Sequence, residues 1–133
     1  MDKVGISSRI WLRKGGKNYL GKGRIELLKH IQKEGSILKA SKKMYMSYKA
    51  AWDDIHQINE IAGKELVLSS NGGKGGGGTR LTQEGEKAIR VFERLEGLQD
   101  RFLEKLDACQ DLDDLLARIA KWEEKFDELE NEV

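Results

Sequence analysis

Residues 36–80 limit the fold more than any other part of the chain. They contain two short amphipathic stretches a few residues apart, followed by two strand-like stretches on either side of a glycine run. In the second amphipathic stretch, 47–62, apolar residues recur at helical spacing between an N-cap residue, Ser47, and a terminating glycine, Gly63. A helix that leans on a second helix and keeps a polar outer face is a helix-turn-helix, and its second helix can enter the major groove of DNA. The apolar positions of this helix are Tyr48, Ala51, Trp52, Ile55, Ile58 and Ala62.

The polar face of the second helix carries the side chains that we expect to contact DNA. Lys49 can reach a phosphate or a guanine edge, and Ser47 can reach a phosphate. Trp52 lies on the apolar stripe and is predicted to pack into the core. The predicted recognition residues are Ser47, Tyr48, Lys49, Asp53 and His56, with Gln57 also on the outward face, and the predicted contacts to the DNA backbone are Lys42, Lys43, Lys74, Gly75 and Arg80.

The glycine run at 71–78 admits several interpretations. Gly73, Gly75 and Gly78 match the spacing of a dinucleotide fingerprint, but that motif must open a helix, and here a strand-like segment follows. A Walker A loop does not fit, because Lys74 is followed by glycine rather than by serine or threonine. The preferred interpretation is a wing whose bare backbone N–H groups and Lys74 approach DNA closely. A disordered linker and a nucleotide-dependent enzyme are the alternatives.

Two further elements precede the helix-turn-helix. Residues 6–20 alternate in polarity around a Lys-Gly-Gly-Lys turn at 14–17, which predicts a β-hairpin whose turn needs positive φ. The first helix is predicted over 23–34. Ser36 is predicted to cap the next helix, in which Leu38 packs inward with its apolar neighbours.

The C-terminal third of the sequence predicts two more helices. One runs from Thr82, its N-cap, to about Ala108, and a break follows near Cys109. Asp111 can cap the last helix, which carries a heptad seam and therefore needs a partner. The helix either folds back on the preceding one or pairs with another subunit. Its seam consists of Leu112, Leu115, Ile119, Trp122, Phe126 and Leu129.

Charge is distributed unevenly along the chain, although the formal net charge of the 133 residues is only +1. Residues 1–49 contain 13 Lys and Arg against 3 Asp and Glu, whereas residues 104–133 contain 4 against 11, a net −7. A basic segment can neutralise phosphates and an acidic one cannot. Because the basic segment contains most of the helix-turn-helix, we interpret it as a DNA-binding surface rather than as an ordinary solvated face.

Composition excludes several other classes of protein. A single cysteine excludes a disulfide scaffold and a cysteine zinc site within one chain. No apolar run approaches the roughly 18 residues that a membrane helix needs, and the N-terminus lacks the apolar core of a signal peptide. The two histidines, His30 and His56, stand on different predicted helices without an acid or a nucleophile at a suitable spacing. We therefore expect a cytoplasmic protein that is not an enzyme, with no metal and no cofactor.

Three stretches also resemble a known family: LLKHIQKEGSILKAS, SYKAAWDDI and GGKGGGGTRLTQEG. They are similar to the N-terminal DNA-binding domain of the ModE family of molybdate-responsive transcriptional regulators, over about 23–102. The resemblance implies a winged helix related to the LysR type, an N-terminal segment that helps join two subunits, and pairing of the C-terminal helices in a dimer. ModE regulators continue into molybdate-binding domains, whereas this sequence continues with helical periodicity, so we expect no molybdate sensing of its own.

Together these features predict a mainly α protein, a winged helix-turn-helix with an N-terminal β-hairpin, a small β wing and long C-terminal helices. Residues 1–81 are predicted to bind DNA, and 82–133 to form a dimerisation part. The predicted function is sequence-specific binding of double-stranded DNA by a homodimeric transcriptional regulator, with a further protein partner on the C-terminal helix left open. The alternative is a protein-interaction adaptor that uses the helix-turn-helix as a scaffold and the acidic heptad tail as a docking surface.

Overall fold

The computed structural model describes residues 2–70 and 78–132 of the chain. It confirms the predicted mainly α fold with a helix-turn-helix, an N-terminal hairpin and the paired base strands of a wing. In chain order the described elements are β1 (Trp11–Lys14), β2 (Lys17–Gly21), α1 (Lys22–Glu34), α2 (Ile37–Lys43), α3 (Tyr48–Ala62), β3 (Val67–Ser69), β4 (Thr79–Leu81), α4 (Gln83–Glu104) and α5 (Leu112–Asn131).

Contacts divide the chain into two compact units. The core unit runs from Arg9 to Leu95, and the tail unit joins Met1–Ser8 to Glu96–Val133. The core unit therefore includes the first half of α4, because that half packs with the elements before it. A division of function between 1–81 and 82–133 is a separate matter and stays a prediction.

The N-terminal hairpin of the core unit is shorter than predicted, since its strands begin only at Trp11. β1 and β2 are antiparallel, and Lys14 pairs with Lys17 across the turn. The two turn glycines, Gly15 and Gly16, have φ of 59° and 75°. Both lie in the left-handed region that glycine tolerates and other residues rarely adopt, which confirms the predicted turn.

Local capping rules fix the ends of the helix-turn-helix. Ser36 Oγ accepts a hydrogen bond from Lys39 N at 3.2 Å, and Ser47 Oγ accepts one from Ala50 N at 3.0 Å. Gly35 and Gly63 end α1 and α3 with φ of 70° and 71°. Each cap stands where the sequence places it, because capping depends only on residues within one turn of the helix end.

The strands β3 and β4 form the base of the predicted wing, and we call them the wing base. The hydrophobic core of the core unit lies among α1, α2, α3, the hairpin, the wing base and the start of α4. Two residues predicted to be in it are instead exposed: 48% of the surface of Leu38 and 42% of that of Trp52 is accessible. At 3.6 residues per turn, Trp52 lies about 90° from the centre of the buried stripe of α3. The buried core residues are Leu20, Ile25, Leu27, Leu28, Ile31, Ile37, Ala40, Ala51, Ile55, Ile58, Ala62, Leu66, Val67, Leu81, Ala88, Ile89 and Phe92.

The wing base joins the helix-turn-helix to α4. β3 and β4 are antiparallel, and Thr79 N donates to the carbonyl of Gly35 at 2.9 Å, which holds the wing against the α1–α2 turn. Thr82 caps α4, since its Oγ1 accepts from Gly85 N at 3.1 Å and donates to Glu65 O at 2.8 Å. A strand rather than a helix follows the glycine run, so the dinucleotide fingerprint is contradicted.

In the tail unit, α4 ends at Glu104, earlier than predicted. Val4 and Cys109 form an antiparallel bridge, with hydrogen bonds of 2.8 and 2.9 Å. Asp111 caps α5 as expected, accepting from Asp114 N at 2.9 Å. None of the residues of α5 is buried. Helices of the length and apolarity that a bilayer requires do not occur among the described residues.

Candidate nucleic-acid interface

The outward face of α3 gathers the predicted recognition residues. Positions 48, 49, 52, 53 and 56 follow one another at steps of one and three, so they lie on one side of the helix. Tyr48, Lys49 and His56 are exposed, and Asp53 is half-buried. Ser47, whose hydroxyl caps the helix, lies at the N-terminal end of this face. We call the face formed by residues 48, 49, 52, 53 and 56 the recognition face.

Two charged side chains of the recognition face pair with each other. Lys49 Nζ lies 2.9 Å from Asp53 Oδ2, an i,i+4 ion pair on the helix surface. Such exposed pairs stabilise a helix by only a few tenths of a kcal/mol, so a stronger acceptor can displace them. In the free protein Lys49 is therefore paired with Asp53, and it can exchange this weak partner for a phosphate or a base edge.

The aromatic side chains of the recognition face line a groove between α3 and the wing base. The Trp52 and His56 ring centroids are 3.5 Å apart, at an interplanar angle of 41°. Tyr48, Trp52 and His56 form one side of the groove, Leu38 lies on α2, and Ser69 and Thr79 line it from the wing base. The groove has a volume of about 880 Å³. Aromatic and hydroxyl groups thus meet at one concave surface.

The predicted contacts to the DNA backbone lie in two separate places. Lys42 and Lys43 are exposed in the last turn of α2, immediately before the turn that leads to α3. Arg80 is exposed on β4, where it pairs with Leu68 in the wing base. Lys74 and Gly75 lie outside the described residues. Lys42 and Lys43 thus precede the recognition face by a few residues along the chain, and Arg80 lies on the wing base.

Arg24 of α1 holds α3 in place, a role that the sequence did not predict. Its guanidinium donates to Asn18 O at 3.2 Å and Tyr19 O at 3.0 Å, and it pairs with Asp54 at 3.4 Å. It also donates to Gln57 Oε1. Gln57 lies on the exposed surface of α3, and its amide oxygen is bound within the chain. A bidentate cation suits this position, since a guanidinium can serve several acceptors at once.

Two polar side chains hold the C-terminal end of α3. Lys14 Nζ of the hairpin donates to Ala62 O at 2.7 Å. Asn59 Oδ1 accepts from Leu66 N at 2.8 Å, and its Nδ2 donates to Val67 O at 3.2 Å. The last turn of α3 contains no basic residue of its own, so the cation that complements the helix dipole comes from 48 residues away.

One carboxyl group and one hydroxyl group near α4, those of Glu84 and Tyr19, have shifted pKa values. Hydrogen bonds from Lys87 and Lys64 lower the pKa of Glu84, whose carboxylate lies 3.2 Å from each ammonium nitrogen. Burial raises the pKa of the Tyr19 hydroxyl, and the nearby charge of Glu84 adds to that rise. Neither group lies on the recognition face. Within residues 2–70 and 78–132, no three His, Cys, Asp or Glu side chains gather as a metal site.

The sequence of this chain is similar to those of known bacterial regulatory proteins. Residues 23–86 match the description "Bacterial regulatory helix-turn-helix protein, lysR family". The chain is 43% identical over 100 residues to "Transcriptional regulator ModE" of Yersinia pestis, covering 74% of this chain and 38% of that protein. It is 41% identical over 101 residues to "DNA-binding transcriptional dual regulator ModE" of Escherichia coli, with the same coverage. "Molybdenum transport protein ModE" of Azotobacter vinelandii is 43% identical over 88 residues, which cover 63% of this chain and 33% of that protein. The chain thus spans less than two fifths of the length of these relatives.

Proposed function

We propose that the chain binds specific sequences in double-stranded DNA as a homodimeric transcriptional regulator, since its residues 23–86 match the lysR family of bacterial regulatory helix-turn-helix proteins and the chain is similar to ModE regulators. The recognition face carries this proposal. It places Tyr48, Lys49, Trp52, Asp53 and His56 on one side of the second helix of a helix-turn-helix, the side that enters a major groove. A protein that acts on a bacterial chromosome works in the cytoplasm, and the relatives that it resembles are regulators rather than enzymes.

Charge around the recognition face supports contact with the DNA backbone. Residues 1–49 carry a formal net charge of +10, and Lys42 and Lys43 are exposed just before α3. Arg80 offers a further cation on the wing base. Lys74 and Gly75 are proposed contacts of the wing tip. Such cations supply salt-dependent affinity and register on the duplex, whereas the recognition face supplies sequence information.

Exposed apolar side chains on α4 and α5 support the homodimer. A helix that leaves such a row in water gains free energy by covering it with a second copy, and heptad spacing suits a helix–helix contact. We assign DNA binding to 1–81 and pairing to 82–133. The exposed apolar residues are Val91, Leu95 and Leu98 on α4 and Leu112, Leu116, Ile119, Phe126 and Leu129 on α5.

The test begins with selection of bound duplexes from a random pool, followed by affinity measurements at fixed salt. We expect a preferred sequence with two half-sites about one helical turn, or a multiple of it, apart. Lys49→Ala should weaken binding of that duplex by about 1–3 kcal/mol if Lys49 reads a base edge, and it should weaken all duplexes alike if it contacts a phosphate. Lys121→Ala on α5 is the matched control, since it removes the same charge elsewhere. Failure to select any duplex would contradict the proposal.

We also propose that these 133 residues bind no molybdate on their own. The part of the sequence after Thr82 forms helices α4 and α5, and residues 104–133 carry a net −7 that repels a dianion. Calorimetric titration with molybdate and with tungstate should therefore give no binding heat. A tight binding isotherm, or a DNA affinity that changes when either oxyanion is added, would contradict this proposal.

A further inference from the structure

The recognition face offers few hydrogen-bonding side chains that are free to read bases. Lys49 and Asp53 neutralise each other at 2.9 Å, and Gln57, the amide nearest to this face, is bound to Arg24. None of the five residues of the face is an arginine, an asparagine or a glutamine, so Lys49, once it leaves Asp53, is the one candidate of the face for bidentate readout of a purine. What the face does present in quantity is aromatic surface.

Trp52 is the largest part of that surface. It is 42% exposed, although the core behind it is already filled by Ala51, Ile55 and Ile58. Its ring packs against the ring of His56, with centroids 3.5 Å apart, which limits the orientations that the indole can adopt. Tyr48, one turn earlier, is 49% exposed. A wide apolar ring held in place at the centre of a recognition helix calls for an apolar group on the partner.

We propose that Trp52, assisted by Tyr48, reads the 5-methyl groups of thymine in the major groove. Thymine is the one common base that presents an apolar group there, and apolar side chains recognise it by contact. This inference rests on the proposed DNA-binding function and deepens it by naming the base chemistry that is read. It commits the preferred sequence to thymines opposite the N-terminal half of α3.

The surroundings of Trp52 favour DNA over a protein partner. The ion pair of Lys49 and Asp53 borders the row of aromatic rings on one side, so the apolar surface is a narrow strip beside charge rather than the broad apolar patch that a second protein would cover. Lys42 and Lys43 stand exposed just before the helix, and the segment that contains them is strongly basic. A mixture of apolar rings and cations complements a groove in which methyl groups lie between rows of phosphates.

Deoxyuridine tests this inference without changing the protein, because it differs from thymidine only by the missing methyl group. Each thymine of the selected duplex is replaced in turn. Wild-type protein should lose about fourfold in affinity for each methyl group that it buries, the contribution of one methyl-sized apolar group. At least one such position is expected in each half-site, and thymines outside the half-sites should show no effect.

A protein variant then connects the methyl group to Trp52. Trp52→Ala should bind the selected duplex more weakly than wild type and should no longer distinguish thymine from uracil at the sensitive position. Trp52→Phe should retain part of that distinction. Trp122→Ala is the matched control, because a tryptophan lost from α5 must leave the thymine-to-uracil ratio unchanged whatever it does to overall affinity.

Three outcomes would overturn the inference, and they differ from failure of the proposed function. In the first, wild-type protein binds every uracil duplex as tightly as the thymine duplex, which removes methyl recognition while DNA binding stands. In the second, the Trp52→Ala variant still distinguishes thymine from uracil, so the methyl contact belongs to another residue. If Trp52→Ala instead lowers the molecular mass in sedimentation and no methyl matters, the ring belongs to a protein interface. Absence of any selected duplex removes the proposed function and this inference together.

Discussion

Helices α4 and α5 carry apolar seams of comparable length, yet the two seams differ in how much of them is buried. Four residues of α4 are buried, Gly85, Ala88, Ile89 and Phe92, whereas α5 buries none. The first half of α4 packs within the core unit, and α5 is in contact through rings at Phe102, 5.3 Å from Trp122 and 6.0 Å from Phe126 between centroids. The same kind of sequence pattern thus serves a closed core in one helix and leaves an open surface in the other.

The difference shows that helical amphipathicity identifies a face and does not identify its partner. In α4 the partner is built into the chain: Thr82 caps the helix and bonds to Glu65 O, and Gly85 lets the helix backbone approach the Leu66 carbonyl closely. α5 also has an N-cap, Asp111, but none of its residues is buried. Substitutions in matched pairs, one in each helix, can break or sharpen this comparison.

The largest contrast is expected between two phenylalanines. Phe92 is 1% exposed and Phe126 is 49% exposed. Phe92→Ala should lower the free energy of unfolding by about 3–5 kcal/mol, because it leaves a cavity in the core. Phe126→Ala should cost less than about 1 kcal/mol in a dilute monomer, and more as protein concentration rises if α5 pairs between subunits. Urea denaturation at two concentrations measures both, and equal losses for the two variants would contradict the contrast.

Two glycines of α4 provide a second pair. A Cβ at Gly85 would clash with the Leu66 carbonyl oxygen, whereas a Cβ at Gly97 would meet nothing within 4 Å. Gly85→Ala should therefore destabilise the protein by about 1–3 kcal/mol, as overpacking does. Gly97→Ala should stabilise it by about 0.5–1 kcal/mol, since alanine has the higher helix propensity. Thermal unfolding of both variants checks the opposite signs, and two shifts of the same sign would refute the close approach at Gly85.

Local rules account for the parts of the fold that the sequence predicts well. N-caps at Ser36, Ser47 and Asp111 and the left-handed glycines that end α1 and α3 depend on a few neighbouring residues, so they can be identified without knowledge of the tertiary structure. The recognition face follows from the same periodicity. Its assignment as the DNA-binding site, with the wing residues Lys74 and Gly75, stays a prediction.

Long-range contacts account for the parts that the sequence did not predict. Arg24 reaches Gln57 over 33 residues and Lys14 reaches Ala62 over 48, and no local pattern specifies such pairs. Two signals were nevertheless present. Asn59 interrupts an apolar side of α3, which is typical of a hydrogen-bonded clamp, and the last turn of α3 lacks a basic residue. Trp52 was predicted to be buried but is exposed, because the buried stripe of α3 is narrower than the row of apolar residues in its sequence.

Helix caps give a third, smaller pair. Ser47 Oγ accepts from Ala50 N at 3.0 Å in the core unit, and Asp111 accepts from Asp114 N at 2.9 Å in the tail unit. Loss of an N-cap costs about 1 kcal/mol of helix stability. Ser47→Ala should lower the global stability by that amount in the absence of DNA. Asp111→Ala should mainly fray α5, seen as faster amide exchange in 112–116 without a shift of the main unfolding transition. A global shift from Asp111→Ala would show that α5 folds as one cooperative unit with the core.

The smallest effect is expected at the charged surface of α4, where Glu84 connects the helix to Lys64 in the loop before β3. Hydrogen bonds from Lys87 and Lys64 lower the pKa of Glu84 below its ordinary value of 4.5. A carboxyl group whose folded pKa is depressed stabilises the protein above its unfolded pKa, and this contribution is lost as the pH falls through the folded pKa. Glu84→Gln should therefore be less stable than wild type at pH 7, and the difference should vanish in acid.

An NMR titration of the Glu84 carboxyl should give a midpoint below 4.5, and Lys87→Met should raise that midpoint, because it removes the largest cause of the shift. High salt should shrink the effect, since the carboxylate and both ammonium groups are partly exposed. A midpoint at or above 4.5 in wild-type protein would show that these ion pairs do not persist in solution, and would contradict the role of Glu84 in connecting α4 to the loop before β3.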